Sequence, residues 1–197
     1  SSDVCSSDLY STDYVFSGTE EKQSFSESET PNPINKYGES KFQGEREVLK
    51  RGARGLGFYL IRTSKLFGPK GESPQAKPSF FDIMLNLSQN KDELTVVNEE
   101  LSCFTYTVDL AAATKRLLEA DASFGIYHIV NEGPVTWYAA AQILFRLKKL
   151  PVSLKAIRSE NLLRAARRPK FSVLQNTRTK HLRNWQEALK DYLHNLS

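Results

Sequence analysis

Apolar positions along this chain repeat with two different periods, and the switches between them mark its elements. Residues 10–17 read as the end of a strand, with Thr12 and Asp13 at its C-terminal edge. Residues 18–35, carrying Glu20, Glu21, Glu27 and Glu29, read as a polar loop that leads past Pro31 and Pro33 into a helix over 37–50 rich in helix formers. Phe58-Tyr59-Leu60-Ile61 is an unbroken apolar run after a turn containing Gly52, Gly55 and Gly57, the mark of a buried parallel strand. Strand, helix and strand make a βαβ unit, so the expected fold is α/β, the later part of a doubly wound parallel sheet. Gly68-Pro69-Lys70-Gly71 then carries the chain out of the sheet. Beyond it the pattern predicts a helix over 80–87, a short strand over 94–97 and a helix over 110–120 capped by Asp109. A strand over 125–130 returns to the sheet and places His128 in its packed interior. An amphipathic helix over 136–149 and a terminal helix over 184–196 complete the chain, the latter with Trp185, Leu189, Tyr192 and Leu193 at apolar spacing.

Composition narrows the partners. With 197 residues, 40% of them hydrophobic, the chain can bury one good core or two small ones. No run approaches the roughly 18 to 20 apolar residues of a membrane span, and no basic-then-apolar leader is present. Residues 1–9 read SSDVCSSDL, which is one translation frame of a common short-read sequencing adapter; they are expected to be an assembly artefact and are set aside from fold reasoning. That leaves Cys103 as the single genuine cysteine, which fits a reducing cytoplasm. The net charge of +4 comes partly from basic residues crowded near the C-terminus, among them Arg164, Arg167, Arg168 and Lys170. No nucleic-acid module accompanies them. No His, Cys or Asp cluster has zinc spacing, so no metal site is expected.

Chemistry enters with Tyr37 and Lys41. Four residues apart, they share one face of the predicted helix. An ammonium one turn from a phenol favours the phenolate, giving a proton donor and acceptor usable near neutral pH. The bland alternative is a surface tyrosine with a solvated lysine, and the spacing alone does not separate them.

The surrounding motifs do. Ser11-Thr12-Asp13-Tyr14-Val15-Phe16, Tyr37-Gly38-Glu39-Ser40-Lys41, Arg62-Thr63-Ser64-Lys65-Leu66-Phe67-Gly68 and Thr105-Tyr106-Thr107-Val108-Asp109 run in a recognisable order. With Asn131-Glu132-Gly133, Arg168-Pro169 and the Trp185 helix, they resemble the extended short-chain dehydrogenase/reductases, and more narrowly the dTDP-4-dehydrorhamnose reductase family. The resemblance implies that residues 10–66 and 107–130 form part of a Rossmann-type NAD(P)-binding domain, and that 67–106 and 131–197 form a smaller α/β region for a sugar nucleotide. No Gly-x-Gly-x-x-Gly or Gly-x-x-Gly-x-x-Gly turn occurs in the chain, so the first βαβ units of that domain are expected to be missing, and the chain alone to be inactive and bind no dinucleotide.

In roles, the resemblance implies that Tyr37 is the acid that protonates the sugar oxygen as hydride arrives from NADPH or NADH. Lys41 would assist it and hold the nicotinamide ribose. Thr12 would hydrogen-bond the reacting oxygen, while Ser11 and Thr63 would lie against the cofactor. Asp13, Tyr14, Lys65, Asn131 and Arg168 would meet the dTDP-sugar substrate, Arg168 at its diphosphate. Asn131 and its neighbour Glu132 could equally shape a turn. Two departures fall in substrate territory: Lys65 stands where the family often has Trp, and Ser102-Cys103-Phe104 replaces its usual Gly-x-Pro. The implied protein is a cytoplasmic reductase without nucleic-acid or membrane partners, and compatible with a homodimer. The alternatives are a related epimerase or dehydratase, which shares the Thr12, Tyr37 and Lys41 trio but not the second-half motifs, and a non-catalytic regulatory subunit of a methionine adenosyltransferase, a relative within the same family.

Overall fold

A computed structural model describes residues 7–18 and 24–196. Residues 1–6, part of the set-aside stretch, and Glu20 and Glu21 of the expected polar loop lie outside the described residues. The predicted βαβ unit is present as β1 (Ser7–Thr12), α1 (Lys36–Gly52) and β2 (Phe58–Thr63). β1 and β2 pair in parallel, with Ser11 opposite Arg62 and Thr12 opposite Thr63. The strand thus includes the last three of the nine residues set aside as an artefact. Parallel pairing is made by main-chain groups, so the edge of β2 can order a segment whose side chains carry no strand pattern.

Onward, β3 (Leu66–Phe67), α2 (Phe80–Ser88), β4 (Glu93–Val97), β5 (Leu101–Ser102) and β6 (Thr105–Tyr106) leave the sheet. α3 (Thr107–Glu119) leads to β7 (Gly125–His128), which returns beside β2, so the parallel sheet has the order β1-β2-β7. β8 (Val135–Thr136), α4 (Trp137–Lys148), β9 (Ser153–Ile157) and α5 (Trp185–His194) follow. The pairs β3-β6 and β4-β9 are also parallel, whereas β5-β8 is antiparallel. Among the described residues no helix is long and apolar enough to cross a membrane.

Two sequence expectations need correcting. Asp109 does not cap α3: the helix starts three residues earlier than expected, at Thr107, with Tyr106 in the capping position and no side-chain cap. Its carboxylate instead takes the Arg183 guanidinium (Nε 2.9 Å, Nη2 3.0 Å) and the Asn131 amide (2.7 Å), charge-assisted bonds stronger than an amide cap. β9 went unforeseen because its mostly exposed positions, Lys155 among them, carry no apolar period.

Three apolar clusters fill the interior. The largest is aromatic, with Phe67, Phe81, Phe104 and Trp185 at its centre, between α2, α4 and α5. A second packs Ile61 and Ile129 against Leu110 and Leu117 of α3. A third, built on Val15, Phe16, Phe25 and Val173, lies directly beneath the C-terminal end of β1.

Beside that third cluster a polar row runs through the interior. His128 is fully buried, as its strand position predicted, with Nδ1 3.1 Å from both the Phe25 and Gln175 carbonyl oxygens. Two carbonyls on one side assign the proton to Nδ1. Burial and the Arg62 charge hold the imidazole down at about 4. Burial pushes the neighbouring Glu27 carboxyl up, but hydrogen bonds from Thr177 and the His128 charge outweigh it, and the net shift is downward. As pH falls from the usual histidine range near 6.5 toward 4, the unfolded chain takes a proton at this position and the folded one does not. Glu27 acts in the same direction. Thermal melts should therefore show the midpoint falling on acidification between about pH 6.5 and pH 4. A His128→Gln variant should lose part of that slope; an unchanged slope would clear His128 of the effect.

Candidate active site

The site is built where α1 lies across the end of β1. Asn35 caps α1, its side chain accepting from the Gly38 amide at 2.8 Å. Three residues into the helix, Gly38 meets the turn Asp13–Val15 so closely that a β-carbon there would lie 2.1 Å from the Tyr14 carbonyl oxygen. That approach brings Tyr37 edge-on to the Tyr14 ring, with 5.9 Å between centroids, and leaves it 54% exposed. One turn on, Lys41 Nζ donates to the Tyr10 carbonyl at 2.6 Å. An ammonium has three donors, so two remain.

Thr12 ends β1. Its hydroxyl accepts from the Tyr14 amide (3.2 Å) and donates to Asp13 Oδ1 (3.1 Å). Asp13 is buried, and Ser172 Oγ donates to its other oxygen at 2.6 Å. Burial raises its carboxyl above the usual range, against the hydroxyls of Ser172, Ser64 and Thr12 and the Lys65 charge. Opposite Thr12 on β2, Thr63 is buried and its hydroxyl finds no partner among the described residues.

Lys65 follows β2 in the left-handed backbone region, φ 40°, which costs a side-chain-bearing residue about 1 to 3 kcal/mol unless its surroundings hold it. They do: Nζ lies 3.9 Å from the Trp137 ring centroid and 5.2 Å from that of Phe104, and donates to the Glu100 carbonyl at 3.2 Å. Burial lowers its ammonium to about 7, against the attraction of Asp13 and Glu100. The Glu100 carboxylate, also buried, accepts from Trp137 Nε1 (2.8 Å), Ser159 Oγ (3.0 Å) and Arg164 Nη1 (2.5 Å).

Beyond this cluster opens a cavity of about 800 Å³. Ser17, Gly18 and Ile34 line one side, and Arg164, Arg167 and Arg168 line the other. Arg164 and Arg168 also border a smaller, apolar cavity of about 330 Å³ against Phe80, Val96 and Trp137. The α1 cap reaches the larger cavity's wall, since Asn35 Nδ2 donates to the Arg167 carbonyl at 2.9 Å.

The structure thus gathers Thr12, Asp13, Tyr14, Tyr37, Lys41 and Thr63 around the end of β1, while Lys65 and Arg168 both face the Trp137 ring. Two expected contacts are not available to a ligand. Asn131 is fully buried, its amide spent on Asp109, the Arg183 carbonyl and the Tyr106 amide, so it braces the β6–α3 corner. Ser11 is buried and donates to Glu45 Oε1 at 2.5 Å, because its alternate position on β1 points under α1. Glu132, left open in the sequence, forms an isolated parallel bridge with Asn184 through main-chain bonds to Arg183 and Trp185, and its carboxylate meets His181 Nδ1 at 2.7 Å. Sequence reasoning missed Glu100, Ser159 and Ser172 as site residues. Ser172 stood beside the Arg168-Pro169 motif, but Glu100 offered only an ordinary acidic pair.

The Tyr37–Lys41 face of α1 thus lies against the end of β1, beside an arginine-walled cavity. The family described as the RmlD substrate binding domain matches residues 9–197. The chain belongs to that family. Among curated relatives, the spore coat polysaccharide biosynthesis protein SpsK of Bacillus subtilis is 34% identical over 187 residues, covering 93% of this chain and 62% of its own. A dTDP-4-dehydrorhamnose reductase of Streptomyces griseus is 36% identical, covering 92% and 60%. A solved dTDP-4-dehydrorhamnose reductase from Clostridium acetobutylicum superposes with a TM-score of 0.84 at 34% identity, over 96% of this chain and 65% of that one. The chain therefore spans roughly three fifths of the length of these curated relatives.

The close approach at Gly38 is open to test. A methyl at this position would also press on Pro33 Cβ, 3.0 Å away, so α1 must move outward. Gly38→Ala should cost about 1 to 3 kcal/mol, as overpacking does. Urea unfolding measures it, and a variant as stable as the parent would show that α1 does not lie this close.

Proposed function

We propose that this chain is the sugar-nucleotide side of an NAD(P)H-dependent reductase of a nucleotide-linked 4-keto-6-deoxy sugar, with dTDP-4-dehydrorhamnose as the leading substrate. The single observation that carries the reading is the close approach of the Tyr37–Lys41 helix to the end of β1, the strand that Thr12 ends. Reducing a carbonyl develops negative charge on its oxygen, so the reaction needs donors aimed there and a proton source. Thr12 supplies a donor once its hydroxyl turns from Asp13 to the substrate, and Tyr37 supplies the proton. Lys41, fixed by the Tyr10 carbonyl, keeps two donors for ribose hydroxyls. The unpartnered Thr63 hydroxyl is a buried polar group that a cofactor's amide or ribose would satisfy, so these residues fit a nicotinamide nucleotide. When bound, that group supplies the hydride.

Asp13 and Tyr14 form the floor beside the sugar, and Lys65 and Trp137 its far side. Arg164, Arg167 and Arg168 offer planar forks for the diphosphate. Relatives named dTDP-4-dehydrorhamnose reductase support the substrate class, and a solved one from Bacillus anthracis in complex with NADP (29% identical, TM-score 0.84) supports the cofactor. A dehydratase and epimerases at 15–20% identity share the fold alone.

Expressed with its complete reading frame and given a dTDP-4-keto-6-deoxy sugar, the protein should oxidise NAD(P)H in step with product. Tyr37→Phe should reduce turnover by roughly a hundred to ten thousand-fold without changing the melting temperature. Sugar conversion with no net loss of reduced-nicotinamide absorbance would overturn the reading in favour of an epimerase.

A pH effect follows from Lys65. Its ammonium is present below about 7 and lost above it, so sugar-nucleotide affinity should fall as pH rises through neutrality. Calorimetry with the parent and with Lys65→Met checks this; the variant should bind more weakly at pH 6 and show a flatter profile.

A further inference from the structure

Behind the reactive side chains lies a buried ion pair that the proposed chemistry does not use directly. Tyr37, Lys41 and Glu45 stand four residues apart on α1, so they share one face, each step turning only about 40°. Tyr10, Ser11 and Thr12 are consecutive on β1. The two series are joined rung by rung: Lys41 to the Tyr10 carbonyl, Glu45 to the Ser11 hydroxyl, and Tyr37 beside the turn that follows Thr12. Glu45 is 0% exposed and Arg62 1% exposed, and they meet as a fork, Nε to Oε1 at 3.0 Å and Nη2 to Oε2 at 2.8 Å.

Arg62 has further partners. It sits opposite Ser11 on one side of β2 and opposite His128 on the other. Nη1 faces His128 Nε2 at 3.4 Å, and the guanidinium lies 5.1 Å from the Phe16 ring centroid. His128 continues to the Phe25 and Gln175 carbonyls, and Glu27 accepts from the His128 amide, the Thr177 amide and the Thr177 hydroxyl. One connected series of bonds thus runs from the helix bearing Tyr37 to residues 175–177.

We propose that Glu45 and Arg62 are positioning residues that fix Tyr37 and Lys41 against Thr12, an inference that rests on the reductase reading. A buried ion pair is a poor source of stability, since apolar residues of similar volume hold a fold as well or better. What the fork adds is register. Apolar contact alone would hold α1 at the same depth while letting it slide or roll, and a misplacement of about 1 Å can cost on the order of a hundredfold in rate. Ser11 and His128 extend the brace to both neighbouring strands, so the helix is fixed relative to the whole sheet.

The test uses the protein with its complete reading frame and two variants, Arg62→Lys, which keeps the charge but loses the fork, and the apolar double variant Glu45→Met with Arg62→Met. We expect both to stay folded, with dTDP affinity within about twofold of the parent and an unchanged KM for the sugar. Turnover should fall about tenfold in Arg62→Lys and ten- to a hundredfold in the double variant. Hydrogen exchange should quicken at α1 amides 37–45 but not in β2 or β7. A folded double variant with parental turnover would overturn the proposal, as would loss of the folded state in both variants, which would assign the pair to stability alone. If the parent consumes no NAD(P)H, the reductase reading fails by itself. Exchange then decides: local quickening at 37–45 retains the brace, and its absence removes it.

Discussion

How near α1 can come to the turn after β1 sets everything else in the site. With a β-carbon excluded at residue 38, the helix rests on the Tyr14 carbonyl and Pro33 rather than standing off by a side chain. Only at that depth can Lys41 reach the main chain of β1 and Glu45 disappear beneath the helix. The cost of closeness is desolvation of a carboxylate, which is tolerable because Arg62 and Ser11 satisfy it fully. Gly38 and Glu45 thus act together: one permits the approach and the other fixes its register.

A second electrostatic balance governs the Lys65 side of the site. Asp13, Lys65 and Glu100 are brought into one pocket where burial opposes charge on Asp13 and on Lys65, and each of the three is held by different partners. Hydroxyls support Asp13, aromatic rings and a carbonyl support Lys65, and Arg164 with Trp137 supports Glu100. Arg164 is the partner of Glu100 and at the same time a wall of the larger cavity. An anionic ligand there competes with a carboxylate for one guanidinium, so binding and the internal balance are coupled.

Much of this could be read in the sequence, and the division has a physical basis. The βαβ unit was legible because strand and helix write different periods into neighbouring residues. Tyr37 and Lys41 were legible because a helix fixes which residues share a face. Glu100, Ser159 and Ser172 were not, because their partners lie 37, 59 and 159 positions away and no local pattern encodes such pairings. Asn131 and Ser11 misled for a related reason: a polar residue beside a motif looks available until packing shows that a buried neighbour has already taken its bonds. Asp109 was a plausible cap by local rules, and a distant arginine outbid the local amides.

The two halves of the site are also held by different physics. The half that carries Thr12, Tyr37 and Lys41 sits on regular elements whose backbone bonds fix them. The far wall, over residues 162–184, has no helix or strand beyond isolated bridges. It is located by isolated main-chain bridges, from Phe25 to Val173 and Gln175 and from Leu101 to Lys170 and Ser172, and by side-chain bonds: Ser172 on Asp13, the Arg167 carbonyl on Asn35, Thr177 on Glu27. The Phe25 bridge and the three side-chain bonds reach back to the segment between β1 and α1, while Leu101 and Glu132 hold the wall from the other side. Between the anchors, residues such as Leu162 and Arg168 are free of backbone ladders and can change identity without disturbing the sheet. A fold arranged this way can keep the Tyr37–Lys41 side of the site constant while the arginine-lined wall varies.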